Sequence, residues 1–113
     1  MNKYSNIKIL CGDIVFDSKK EYTRYTELKT LEKAGLIKDI ELQKEFELQP
    51  SFKKNGKTYR KITYKADFYY FDNHLGRYVV EDIKSLATRT QVYMVKKKLF
   101  EYRYPDLELT EVY

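Results

Sequence analysis

Asp67, Asp82 and Lys84 are the residues of this 113-residue chain whose types and spacing could do chemistry. Two strand-like segments flank the loop Asp72-Asn73-His74-Leu75-Gly76. Symmetric pairing about that loop sets Asp67 opposite Asp82 and Lys65 opposite Lys84. Like charges directly opposite on a sheet are destabilising, so a fold keeps two carboxylates there cheaply only with a cation between them. Mg²⁺ takes one or two carboxylates plus waters and substrate phosphate oxygens, which makes phosphodiester chemistry the expectation. Strand alternation also puts Lys84 on the same face as Asp82. The triplet [DE]-x-K means little alone, since Asp17-Ser18-Lys19 and Glu27-Leu28-Lys29 repeat it. Only Asp82-Ile83-Lys84 follows an apolar pair, Val79-Val80, on a predicted strand whose hairpin partner carries Asp67.

The elements that must position these residues are legible in outline. Ile7 to Leu10 and Ile14 to Phe16 flank Gly12-Asp13 and read as an N-terminal hairpin or arm within residues 1–16. Ser18-Lys19-Lys20-Glu21 fits the capping box S-x-x-E, predicting a helix from Lys19 to Ala34 that Gly35 stops. Tyr25, Leu28 and Leu31 form its apolar stripe, with Glu21 one turn before Tyr25 on the same side. Ile37 to Leu42 and Glu45 to Leu48 read as extended. Asn55-Gly56 predicts a type I′ hairpin turn. Tyr59 to Phe71 follows as a long strand, with Ile62, Tyr64, Ala66, Phe68 and Tyr70 pointing one way and Lys61, Thr63, Lys65, Asp67 and Tyr69 the other. Arg77 to Lys84 is the next strand. A second helix spans Thr88 to Tyr102, with Val92, Val95, Leu99 and Tyr102 on its buried stripe. Pro105 ends it, and Leu107 to Val112 makes a last strand. The expectation is one α/β domain whose core occupies residues 18–112.

Composition narrows the partners. Lys and Arg outnumber Asp and Glu by 22 to 17, giving a net charge of +5 that favours an anionic partner, nucleic acid above all. No apolar run is long enough to cross a bilayer, and the N-terminus lacks a signal peptide's pattern. The lone Cys11 forms no internal disulfide and fits a reducing cytoplasm. Lys53, Lys54, Lys57, Arg60 and Lys61 cluster around the Asn55-Gly56 turn, where they either grip phosphates or are merely solvated. Lys96-Lys97-Lys98 is a second basic cluster; Lys97 is the candidate assigned to substrate. Gln43, Gln49 and Gln91 lie beside apolar runs, where they orient a phosphate or cap backbone groups. His74, the only histidine, rules out a Ser-His-Asp arrangement that would be credible and leaves no zinc set.

These residues together resemble the PD-(D/E)xK nuclease superfamily, whose restriction-endonuclease-like core runs α-β-β-β-α-β with a central mixed sheet flanked by helices. The order matches from about Ser18 to Val112. Within that superfamily the chain more closely resembles a small phage-encoded branch described as a domain of unknown function, near phage endonucleases and Holliday-junction resolvases. The segments FDSKKEYTRYTELKTLEKAG, ELQPSFKKNGKTYRKITYKADFYY and VVEDIKS, with the lysine-rich helix, carry that resemblance. It implies a Mg²⁺-dependent endonuclease, with Mn²⁺ as a substitute, acting on branched or structured DNA in the bacterial cytoplasm. Asp67 would stand at the first motif aspartate, preceded by Ala66 in place of the usual proline. Asp82 stands at the (D/E) position, Lys84 at the lysine, and Glu21 at the first-helix carboxylate. Asp67, Asp82, Glu21 and the backbone carbonyl of Ile83 would hold the metal, and a homodimer would allow paired cuts.

Other readings of the same residues stay open. Lys84 could bridge Asp82 or Asp67 as a structural ion pair, and the capping box alone accounts for Glu21. Glu81, on the apolar face with Phe68 and Ile83, is expected at the rim; a one-residue register shift would make it an alternative ligand. The whole chain could be a non-catalytic nucleic-acid-binding module, or a phage interaction protein using the fold as a platform.

Overall fold

A computed structural model of the chain describes residues 9–12 and 14–113. Strands β1 (Ile9–Cys11) and β2 (Ile14–Phe16) pair antiparallel; Ile7 and Lys8 of the predicted hairpin lie outside the described residues. Phe16 is fully buried against Tyr22 and Tyr25, so the end of this arm belongs to a core.

Helix α1 (Lys19–Lys33) starts where Ser18 Oγ accepts the backbone N–H of Glu21 at 3.1 Å. It stops at Gly35, whose φ of +77° lets Leu36 N donate back to the Leu31 carbonyl at 3.0 Å in a Schellman arrangement. Then follow β3 (Ile37–Gln49), the short strands β4 (Phe52–Lys54) and β5 (Lys57–Tyr59), β6 (Ile62–Asp72), β7 (Arg77–Ile83), a 3-10 turn (Leu86–Thr88), α2 (Gln91–Arg103) and β8 (Leu109–Val112). Asn55 at φ +52° and Gly56 at φ +75° are the two left-handed residues of a type I′ turn. The two extended runs expected between Ile37 and Leu48 are one strand. Tyr59, expected to open the long strand, belongs instead to the hairpin, separated from β6 by Arg60 and Lys61.

The main sheet has four strands in the order β3-β6-β7-β8. β6 runs antiparallel to both neighbours, and β8 is parallel to β7 because α2 carries the chain across. Adjacent residues show the two layers: Val80 and Tyr69 face the α2 side with Tyr93 and Phe100, whereas Val79 and Tyr70 face the α1 side with Leu28.

Two expectations fail on this sheet. Buried residues alternate along β6 as predicted, but they do not share a face. Tyr64 and Ala66 lie in the α2-side core, Phe68 and Tyr70 in the α1-side core. The same reversal occurs on β3, between Leu42 and Phe46. Gln43, in the partner position to Asp67, has φ +55°, a left-handed conformation that costs a non-glycine residue roughly 1–2 kcal/mol. The matched distortion swaps the faces of both strands where the site lies. In α2 the predicted stripe faces outward: Val92 is 67 % exposed and Tyr102 87 %. Tyr93 and Phe100 are buried instead, because two large rings one position away fill the core, tilted against Tyr64 and edge-on to Phe46.

Candidate active site

The β6–β7 register runs from Asp72 opposite Arg77 to Phe68 opposite Glu81. The next step would set Asp67 opposite Asp82, but regular backbone pairing stops at Phe68 and Glu81. The strands part, and Ile83 N donates to Oδ2 of Asp67 at 2.8 Å. Lys84 leaves β7 with its N–H on the Val112 carbonyl at 2.8 Å, while Lys65 is exposed. An open cleft of about 630 Å³ forms at this end, and Glu21, Asp67, Asp82, Ile83 and Lys84 all line it.

Each carboxylate is held by neighbours. Asp82 is 4 % exposed; its Oδ2 accepts the Tyr64 hydroxyl and lies 3.3 Å from Lys84 Nζ. That ammonium sits 3.7 Å from the centre of the Tyr93 ring, a cation–π contact. Tyr93 is fixed in turn, its hydroxyl donating to Glu111 at 2.6 Å. Gln43 Nε2 reaches both Glu21 Oε1, at 3.3 Å, and Asp67 Oδ1, at 3.2 Å. Glu21 thus uses its backbone N–H for the helix cap and turns its side chain to the cleft; the capping role does not exhaust it.

Burial and crowding raise the pKa values of two of these groups, Glu21 and Asp67. Burial, then repulsion from Asp17 and Asp82, raises Glu21 to about 7, against a smaller opposing pull from Gln43. Asp67 is also pushed well above the usual carboxylate range, by burial first and then by Asp82; the Ile83 N–H opposes this. Tyr64 is pushed upward by burial and by Asp82, so it stays a neutral donor. Among the described residues, no group of three or more His, Cys, Asp or Glu side chains converges closely enough to hold a metal as they stand. The donor chemistry nevertheless fits a hard divalent cation: three carboxylates on one cleft, two with protons retained by burial and mutual repulsion, which a bound cation would relieve.

Other candidates fall elsewhere. Glu81 is not at the rim: it is 2 % exposed, bound by Arg24 Nε at 2.8 Å and Nη2 at 2.7 Å, and by the Tyr70 hydroxyl. It is a buried ion pair pointing away from the cleft, because the distortion falls on β6 and β3 and leaves β7 regular. Lys54, Lys57, Arg60 and Lys61 are exposed on and beside the β4–β5 hairpin. Lys97 is tied to Glu101 at 3.6 Å on α2, and Lys96 lines the cleft in its place. Sequence reasoning did not single out Tyr64 or Tyr93 as site residues; the signal for Tyr64 was a hydroxyl on an otherwise apolar stripe, and Tyr93 lay off the predicted stripe of α2.

Fold and site together define an α/β domain with a carboxylate and lysine cleft where two strands of a mixed sheet part. The chain belongs to the DUF1064 family, described as a protein of unknown function, whose family model matches residues 1–113. No curated protein and no solved structure matches it.

Proposed function

We propose that this protein is a metal-dependent endodeoxyribonuclease on a restriction-endonuclease-like core, acting on branched or structured phage DNA in the bacterial cytoplasm. The observation that carries this reading is the meeting of Glu21, Asp67, Asp82 and Lys84 in one open cleft. Asp67, Asp82, Glu21 and the Ile83 carbonyl would hold Mg²⁺ or Mn²⁺. Bound there, the metal would lower the pKa of its water and offset charge building on the phosphate.

The chain's own groups do the rest. Lys84, steadied between Asp82 and the Tyr93 ring, orients the attacking water or balances the phosphate oxygens. Gln43 keeps Glu21 and Asp67 turned toward each other. Lys96, at the cleft wall, adds a cation for the DNA backbone. One site cuts one strand at a time, so paired cuts call for a homodimer.

A second reading is a nucleic-acid-binding module without catalysis. It is favoured by the hydrogen bonds that already engage each cleft carboxylate, above all Tyr64 and Lys84 on Asp82. Cleavage of labelled four-way junction, flap, single-stranded and linear duplex DNA, with Mg²⁺, Mn²⁺ or chelator, separates the two. Metal-dependent cutting that disappears in Asp82→Asn supports the nuclease. Tight junction binding in chelator, with no substrate cut, supports the binding module.

A further inference from the structure

We propose that the β4–β5 hairpin is a substrate-gripping finger: its cations hold a nucleic-acid backbone and its Phe52–Tyr59 pair stacks on an unpaired base. This deepens the preceding reading, on which its DNA substrate rests, by naming what distinguishes a branched substrate from a plain duplex.

The hairpin stands apart from the fold. β4 and β5 form a two-stranded sheet of their own, and every residue from Ser51 to Lys61 is exposed. That stretch carries Lys53, Lys54, Lys57, Arg60 and Lys61 and no acidic residue. Lys54 is the direct cross-strand partner of Lys57, a like-charge pair that destabilises a hairpin. The acid bridged to this group is Glu45, 3.9 Å from Lys61. A nucleic-acid backbone supplies the missing negative charge as a continuous line.

Charge alone would suit any polyanion; the aromatic pair selects among them. Phe52 and Tyr59 are cross-strand partners whose rings stack at 4.8 Å and 8°. Their mutual contact supports a hairpin with three residues per strand, which is marginal by itself. Yet they remain 42 % and 40 % exposed among five cations, one of which, Lys57, lies 5.0 Å from the centre of the Tyr59 ring. Aromatic faces beside a basic track are how proteins hold unpaired bases, since every base offers a π-face. A paired, stacked duplex interior offers none.

The finger also lies within reach of the cleft. Its return strand passes through Arg60 and Lys61 into β6, whose Thr63, Tyr64 and Lys65 line the cleft. The chain from Tyr59 to Asp67 spans at most about 27 Å at roughly 3.3 Å per residue. That is roughly eight nucleotide steps of about 3.4 Å, so one substrate can touch both.

The test is binding in chelator by the full chain carrying Asp82→Asn, so that cutting does not intervene. Affinity is measured for flap DNA with a single-stranded arm, single-stranded DNA and linear duplex. Phe52→Ala/Tyr59→Ala should lose about tenfold on the flap and single strand and little on duplex. Phe52→Leu/Tyr59→Leu, which keeps an apolar cross-strand contact without rings, should show the same loss if stacking is the cause. Lys54→Ser/Lys57→Ser should weaken all three and flatten the salt dependence by about one to two logarithmic units per decade. Unchanged flap affinity in the ring variants, or equal loss on all three substrates, overturns the stacking role; an unchanged salt slope overturns the backbone grip. Because no step here needs catalysis, a wild-type protein that cuts nothing would sink the nuclease reading and leave this result standing. Cutting by a wild type whose hairpin variants bind like the parent would do the reverse.

Discussion

The backbone N–H of Ile83 donates to Oδ2 of Asp67 at 2.8 Å, at the step where β6 and β7 give up their regular pairing. A side-chain carboxylate has taken the place of a ladder acceptor. This bond ties Asp67 to the strand that carries Asp82, while Tyr64 and Lys84 hold Asp82 from its other side. The two acids are kept near one another although their charges repel, and the fold supplies the restraint through groups of both strands and of α2.

Asp82 is therefore a poor residue to truncate and a good one to neutralise. Asp82→Ala strands the Tyr64 hydroxyl in a buried place, costing about 1–3 kcal/mol. Asp82→Asn leaves that hydroxyl an acceptor and removes the repulsion. Both variants should lose cleavage and leave the Lys84 ammonium without its nearest carboxylate, and the alanine variant should unfold earliest in denaturant. An asparagine variant that cuts like the wild type would remove Asp82 from the chemistry.

Stability should respond to pH in a direction opposite to that of an ordinary salt-bridged acid. Glu21 rises from 4.5 to about 7 in the folded chain, and Asp67 moves the same way. Between those values the native state binds more protons than the unfolded one, so stability is fullest below about 4.5 as far as these groups decide it. It falls as pH rises through about 7. Mg²⁺ must displace the retained protons, so it should raise Tm more at about pH 8.5 than at about pH 5.5. Melting curves at both values, with and without Mg²⁺, check the sign; an equal effect of Mg²⁺ at both would speak against carboxylate ligation.

The sequence carried the element order, the Asn55-Gly56 turn, the helix stop at Gly35 and the β6–β7 register as far as Phe68 and Glu81, because each rests on local rules. It hid what depends on distant partners. Glu81 is explained by Arg24, which is 57 residues away. The face reversal at Gln43 and Asp67 leaves the alternation of buried and exposed residues intact, so periodicity cannot reveal it. In α2 two stripes competed, and the aliphatic one read as core, although Tyr93 and Phe100 fill the space that the sheet offers. The site's carboxylates and Lys84 were legible from type and spacing; the tyrosines that hold them were not.

Glu81 gives a prediction about stability alone. Its two oxygens meet the Arg24 guanidinium in a bidentate pair with Glu81 buried and Arg24 half-buried. Glu81→Gln should destabilise, but by less than the roughly 3–5 kcal/mol of a fully buried pair, since solvent and Glu27 at 3.4 Å still offset the Arg24 charge. Arg24→Met/Glu81→Leu should recover much of that loss. Cleavage per folded molecule should stay close to wild type in the double variant, measured below its melting transition. A folded double variant with no activity would give Glu81 a direct part in the site.

Lys84 is placed by two contacts of different kinds, and they can be separated. Its ammonium lies 3.3 Å from Asp82 and 3.7 Å from the centre of the Tyr93 ring. Lys84→Ala should lower kcat by about 100-fold, the scale of one preorganised charge at a transition state, and change Mg²⁺ affinity less. Tyr93→Phe keeps the ring and loses only the hydrogen bond to Glu111, so turnover should fall by no more than a few-fold. Tyr93→Leu removes the ring face, frees the ammonium to follow Asp82 alone, and should fall between the other two. Single-turnover rates with saturating Mg²⁺ give the order. If Tyr93→Phe proves as damaging as Tyr93→Leu, the hydroxyl and its Glu111–Arg89 support hold Lys84 in place, and the ring does not.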